Sequence, residues 1–242
     1  MKKVAILVVL AIMAISCTQD SNSNGNVVLK ASAVATTGKA SLVSRSAVVG
    51  TPTVIITDFK VNIGKIKFET DEEDVRHAHD SIHEEFKLIG PFLLDLLDAN
   101  AALSQTIASV SIPNAKYEEI KFKFEPSILA GEMLGKSFLI KGTINGTAFV
   151  VSSSEEVDLE MDFLDPSKDF TVNGIDLTLN IKIQLDAVIA RITALASQGL
   201  LVDTNGNGVI EISTLLGEDG HHSLGDELRH LLEDETHLDD KD

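Results

Sequence analysis

The chain has 242 residues, 44% of them apolar and 24% charged, with 37 acidic against 20 basic side chains, one cysteine and no tryptophan. One cysteine excludes a disulfide-stapled scaffold and a multi-cysteine zinc site, and a formal charge of −17 opposes the phosphate contacts that dominate nucleic-acid affinity, so no nucleic-acid partner is expected. The apolar fraction is too high for a wholly disordered chain, and the length suits one domain.

In chain order, Lys2 and Lys3 precede an unbroken apolar run from Val4 to Ile15, followed by Ser16 and Cys17. The run has the form of a signal peptide and is shorter than the roughly 20 residues that span a bilayer. Ala14-Ile15-Ser16-Cys17 resembles the lipobox of bacterial lipoproteins, with Ala14 where that family prefers Leu. The resemblance implies removal of residues 1–16, lipidation of Cys17, and attachment to the membrane through an N-terminal lipid anchor. Acyl chains on one residue bury enough methylene groups to hold a protein on a bilayer. Thr18, where Asp is absent, resembles lipoproteins sent on to the outer membrane. An ordinary secretory peptide that leaves Cys17 a plain thiol is the alternative.

Residues 17–50 read as the lipidated cysteine and a flexible tether, rich in Ser, Ala, Thr and Asn, with at most one edge strand near Val27 to Leu29. From residue 53, alternation of apolar and polar residues dominates. Ile120, Phe122 and Phe124 alternate with Lys121 and Lys123; Val157, Leu159 and Met161 with Asp158 and Glu160; and Leu177 to Leu185 follows the same rule. Further strands are expected at Thr53–Phe59, Val61–Phe68 (with a bulge at Gly64), Phe86–Leu97, Thr106–Ile112 and Ser137–Val151, the last turning at Asn145-Gly146. The period changes after Gln184, where Leu185, Val188, Ile189, Ile192 and Leu195 form one helical stripe and Gly199 stands at its stop. These patterns predict a mostly β protein: an antiparallel β-sandwich over residues 51–216 with one C-terminal helix, a calcium-type loop, and an acidic His-containing tail over 217–242.

The sharpest chemical signal is Asp203-Thr204-Asn205-Gly206-Asn207-Gly208-Val209-Ile210-Glu211. Side-chain oxygens on Asp203, Asn205 and Asn207, a glycine at the sixth position and the Val209 carbonyl at the seventh describe two-thirds of an EF-hand calcium loop. Thr214 stands where an EF-hand has its bidentate Glu, so Glu211 (or Glu218 and Asp219) must supply the second carboxylate. Asn-Gly-Asn-Gly is also ordinary turn chemistry.

All seven histidines lie in two acidic tracts. His77, His79 and His83 in the first, with His221 and His222 in the second, offer ligands for zinc or copper, and both tracts also read as solvated charge. Leu224, Leu228, Leu231 and Leu232 give the tail a short amphipathic stripe that can dock on the sandwich or on a partner.

Three segments, Phe86–Leu97, Ile112–Ile120 and Asp203–Glu211, together resemble an uncharacterised group of bacterial anchored lipoproteins carrying a domain of unknown function. The resemblance implies a β-sandwich at the cell envelope and no assigned reaction. The chain has no His-Glu-x-x-His helix, no phosphate loop and no Gly-x-Ser-x-Gly elbow, and only Tyr117 besides phenylalanine to build an aromatic platform. The expectation is a non-enzymatic envelope lipoprotein whose calcium-stabilised sandwich binds an unknown protein or surface ligand in adhesion, assembly or accessory binding. A zinc- or copper-binding lipoprotein is the alternative.

Overall fold

The computed structural model describes residues 24–34, 42–43, 52–70, 86–97, 105–162, 170–213, 227–232 and 236–241. The strands are β1 (Asn24–Val34), β2 (Leu42–Val43), β3 (Val54–Thr70), β4 (Phe86–Asp95), β5 (Gln105–Pro113), β6 (Lys116–Phe124), β7 (Phe138–Ile144), β8 (Thr147–Ser153) and β9 (Val157–Asp162). They continue with β10 (Phe170–Thr171) and β11 (Leu177–Gln184), then helix α1 (Asp186–Ser197), β12 (Val209–Ser213) and β13 (Thr236–Lys241). A four-stranded sheet runs β13-β11-β1-β5; a nine-stranded sheet runs β10-β6-β3-β7-β8-β12, with β2 and β4 also on β3 and β9 also on β6. One hydrophobic cluster draws Val27, Leu29, Leu179 and Ile181 from the first sheet and Phe59, Phe68, Phe122 and Phe149 from the second. The architecture is mostly β and sandwich-like.

Local chemistry explains the elements. Asn145 and Gly146 hold φ of 52° and 88°, the pair of positive values that a two-residue type I′ hairpin requires, and they join β7 to β8 with Ile144 opposite Thr147. Asn145 also accepts the Thr53 backbone N–H on Oδ1 at 2.9 Å. Helix α1 ends in a Schellman motif: Leu200 donates to the Leu195 carbonyl, Gly199 to that of Ala196, and Gly199 takes φ 70°. Tyr117 is buried, stacks on Phe170 at 5.2 Å and donates its hydroxyl to the Pro113 carbonyl.

The two segments expected as separate strands across residues 53–68 form the single strand β3, with its register shift between Ile63 and Lys65, around Gly64. A Cβ at Gly64 would run into the Glu125 carboxylate. Both β4 and β6 pair with Ile63–Phe68, so they lie on opposite edges of β3. β7 pairs with Val54–Val61 and shares Lys60 and Val61 with β4, which puts β7 on the same edge as β6. One strand thus carries two successive neighbours on one edge, and Asn62 is the joint. Its backbone N–H donates to Ser137, its carbonyl accepts from Glu125, and its side-chain amide donates to the Glu125 carbonyl at 2.7 Å. Asn62 is 3% exposed.

Three expectations need correction. Residues 24–34, expected within the tether with at most an edge strand, form an eleven-residue strand in the interior of the smaller sheet, between β11 and β5. Small residues hid the alternation: Val27, Leu29 and Ala31 are buried, yet Ala and Ser give little contrast between the two faces. The sheets are not wholly antiparallel, because β1 pairs parallel with β11 and β12 parallel with β8. Alternation within a strand carries no information about the direction of its neighbour. Within the tail, residues 227–232 form a helix with Leu228 and Leu232 buried in the core, as the leucine stripe leads one to expect, but the tail also adds an unexpected strand, β13, to β11. The folded unit therefore begins before residue 51 and extends past 216.

Candidate functional site

The Asp203–Glu211 loop is held at both ends by packed elements. Before it, Val188, Ile189, Ile192 and Leu195 bury one face of α1. After it, β12 adds in parallel to the edge of β8 and buries Ile210 and Ile212. Between them the short polar residues organise the backbone. Asp203 accepts from Gly206 on Oδ1 at 2.8 Å, from Asn207 on the same oxygen at 3.2 Å, and from Gly208 on Oδ2 at 2.7 Å. Asn205 accepts from Asn207 at 3.0 Å and Asn207 from Val209 at 2.8 Å, each two residues on in the chain. Gly206 and Gly208 take φ of 73° and 87°, values that side chains resist.

The structure thus gathers the side-chain oxygens of positions 203, 205 and 207 within one turn, and it brings Glu211 to the same place. Amide nitrogens of Asn205 and Asn207 stand 3.5 and 3.4 Å from the two Glu211 oxygens. Asp203 Oδ2 and the amide oxygens of Asn205 and Asn207 each accept one backbone N–H and keep a second lone pair, whereas Asp203 Oδ1 accepts two. Such an oxygen-only donor set suits a hard cation, and it contains two carboxylates, Asp203 and Glu211. Thr214, Glu218 and Asp219 lie outside the described residues. Among the described residues no three His, Cys, Asp or Glu side chains gather as a metal cluster.

The other expected site residues, Cys17, His77, His79, His83, His221 and His222, also lie outside the described residues. Of the remaining histidines, His230 is exposed, with its Nε2 at 3.2 Å from the Arg229 guanidinium. Among the described residues no helix is long and apolar enough to cross a membrane.

Two charge clusters on the outer face of the larger sheet were not legible as clusters in the sequence. In the first, Lys60 pairs with Asp58 at 3.0 Å, Asp95 at 3.8 Å and Glu132, while Lys141 also pairs with Glu132. Hydrogen bonds from Lys141 and then Lys60 hold the Glu132 carboxyl down at about 2, against the opposing effect of burial. In the second, Glu69 lies opposite Glu119 across β3 and β6. Lys121 stands 3.3 Å from Glu69, 3.0 Å from Glu119 and 3.6 Å from Glu160. Burial pushes the Glu119 carboxyl up and the facing Glu69 adds to it, while Lys121 opposes; the Lys67 hydrogen bond pulls Glu69 down. Alternation places these residues outward, but only strand register decides which of them face one another. Comparison with family models, with curated proteins and with solved structures found no match.

Proposed function

We propose that this chain is a non-enzymatic lipoprotein of the bacterial cell envelope, whose sandwich is stabilised by calcium in the Asp203 loop and serves adhesion, assembly or accessory binding. The observation that carries the calcium reading is the convergence of Asp203, Asn205, Asn207 and Glu211 on one turn. Two carboxylates give a weakly charged site, matched to the roughly millimolar affinities of extracellular modules. The envelope reading rests on the apolar run before Cys17 and its lipobox resemblance.

The test is thermal unfolding of the chelated full chain, with calcium and separately zinc added back. A ligand that binds only the folded state raises the melting temperature. Calcium is expected to raise it and zinc is not; no gain from calcium would overturn the loop assignment. Mass spectrometry of the chain expressed in a lipoprotein-processing bacterium is expected to show an acylated N-terminal Cys17, and an unacylated Cys17 would overturn the anchor.

A further inference from the structure

The tether expected over residues 17–50 is cut short by β1. That strand begins at Asn24 and lies between β11 and β5, so pairing on both edges holds it in the sheet. Seven peptide links join Cys17 to Asn24, and at roughly 3.3–3.6 Å each they span no more than about 25 Å even when fully extended. Asn24 stands at one end of the molecule. It pairs with Pro113; a Cβ on Gly25 would meet Val172 and Gly174; Val172 donates to the Ala115 carbonyl; and Thr70, the last residue of β3, pairs with Tyr117. The other end of β3 is Val54, opposite Ile144 and beside the Asn145-Gly146 turn and Thr147. The 17 residues of β3 put roughly 50 Å between its ends. At the Asn24 end, in the turn between β10 and β11, Ile175 is 68% exposed.

We propose that the Asn24 end, with Ile175 at its tip, is a membrane-contact surface that rests on the bilayer holding the Cys17 acyl chains, an inference that rests on the lipid-anchor reading. The short tether confines this end to the neighbourhood of the bilayer, and an exposed aliphatic side chain gains by leaving water there. Charge selects the lipid. The turns 113–116 and 172–176 set Lys116 against Asp176, but the acidic residues 71–85 join Thr70 to Phe86 beside them, so the surface that fits is zwitterionic phospholipid rather than anionic. β12 begins at Val209 opposite Ala148, which puts the Asp203 loop at the far end, facing away from the bilayer.

The chain has no tryptophan, so a single introduced indole reports its own surroundings. Ile175→Trp and, at the far end, the exposed Thr147→Trp are made in the full acylated chain and reconstituted in phosphatidylcholine vesicles with and without brominated acyl chains. Mass spectrometry of the same samples reads the state of Cys17. The Ile175→Trp chain is expected to lose emission to brominated lipid and to shift to the blue, while the Thr147→Trp chain keeps both its intensity and its wavelength. Adding phosphatidylglycerol is expected to weaken the quenching of the Ile175→Trp chain, and quenching that strengthens overturns the choice of headgroup. An acylated chain in which Ile175→Trp is not quenched, or Thr147→Trp is quenched equally, overturns the contact surface and leaves the anchor standing. A Cys17 found unacylated overturns the anchor and this inference with it.

Discussion

Asn62 donates its side-chain amide to the Glu125 carbonyl at 2.7 Å, and this bond fastens the end of β6 to β3 at the point where β7 takes over the same edge. Asn62 is buried and Glu125 half-buried, so water replaces the bond only in part. Asn62→Ala leaves the Glu125 carbonyl without that donor and is expected to cost about 1–3 kcal/mol. Urea unfolding would show it as a lowered midpoint at constant slope. An unchanged midpoint would mean that the backbone bonds to Ser137 and Glu125 hold the joint alone.

In the loop, Asp203 accepts from three backbone N–H groups. Asp203→Ala is therefore expected to have two separable effects. Without calcium it costs about 1 kcal/mol, because those exposed donors turn to water. With calcium the gap between variant and wild type widens, since the wild type alone gains from the ion. A calcium gain that survives in the variant would remove Asp203 from the site.

Glu132 gives a pH signature on the acid side. Lys141 and Lys60 lower its carboxyl from 4.5 to about 2 in the folded chain. A depressed acid contributes stability that is fully present above the unfolded value of 4.5 and is lost as pH falls through about 2. Wild type is thus expected to exceed Glu132→Gln at neutral pH, with the gap closing across that window. The side chain is partly exposed, so salt should narrow the gap as well.

The Glu119 carboxyl has the opposite sign. Burial and the facing Glu69 raise it above 4.5 despite Lys121. A raised acid contributes stability that is fully present below 4.5 and is lost as pH rises through the folded value. At neutral pH the ionised pair is a net cost, so Glu119→Gln is expected to be the more stable protein there, and its advantage should vanish on acidification. Chemical unfolding of both proteins at neutral pH and near pH 4 decides it. A Gln variant that is less stable at neutral pH would show that Lys121 outweighs the repulsion.

Leu228 is fully buried, and Glu227 beside it bonds the Arg191 guanidinium on α1 at 2.8 Å. Leu228→Ala is expected to cost about 2–5 kcal/mol, the range for a buried leucine that leaves a cavity. Thermal melting would report it. A small effect would mean that residues 227–232 ride on the core without supporting it.

Much of the fold can be read from the residues alone. Outward-facing Lys121 and Lys123 against inward-facing Phe122 and Phe124 fix a strand with one wet face, because side chains alternate along any strand. Asn145-Gly146 fixes a hairpin because few other pairs accept two positive φ values. The α1 stripe and Gly199 fix the helix and its end, and Asp203, Asn205 and Asn207 announce an oxygen-lined turn. These signals are local, so sequence spacing carries them.

What only the tertiary structure decided is non-local. Alternation cannot say that Ala31 and Ser32 lie in the interior strand of a sheet, that β1 runs parallel to β11, or that Glu69 faces Glu119. Each depends on which distant segments pair and in what register, and such pairing is chosen by the fit of the whole core. The same reason hid the joint at Asn62. A residue's own neighbours in sequence determine the shape of its strand, and the packing of the two sheets determines what that strand meets.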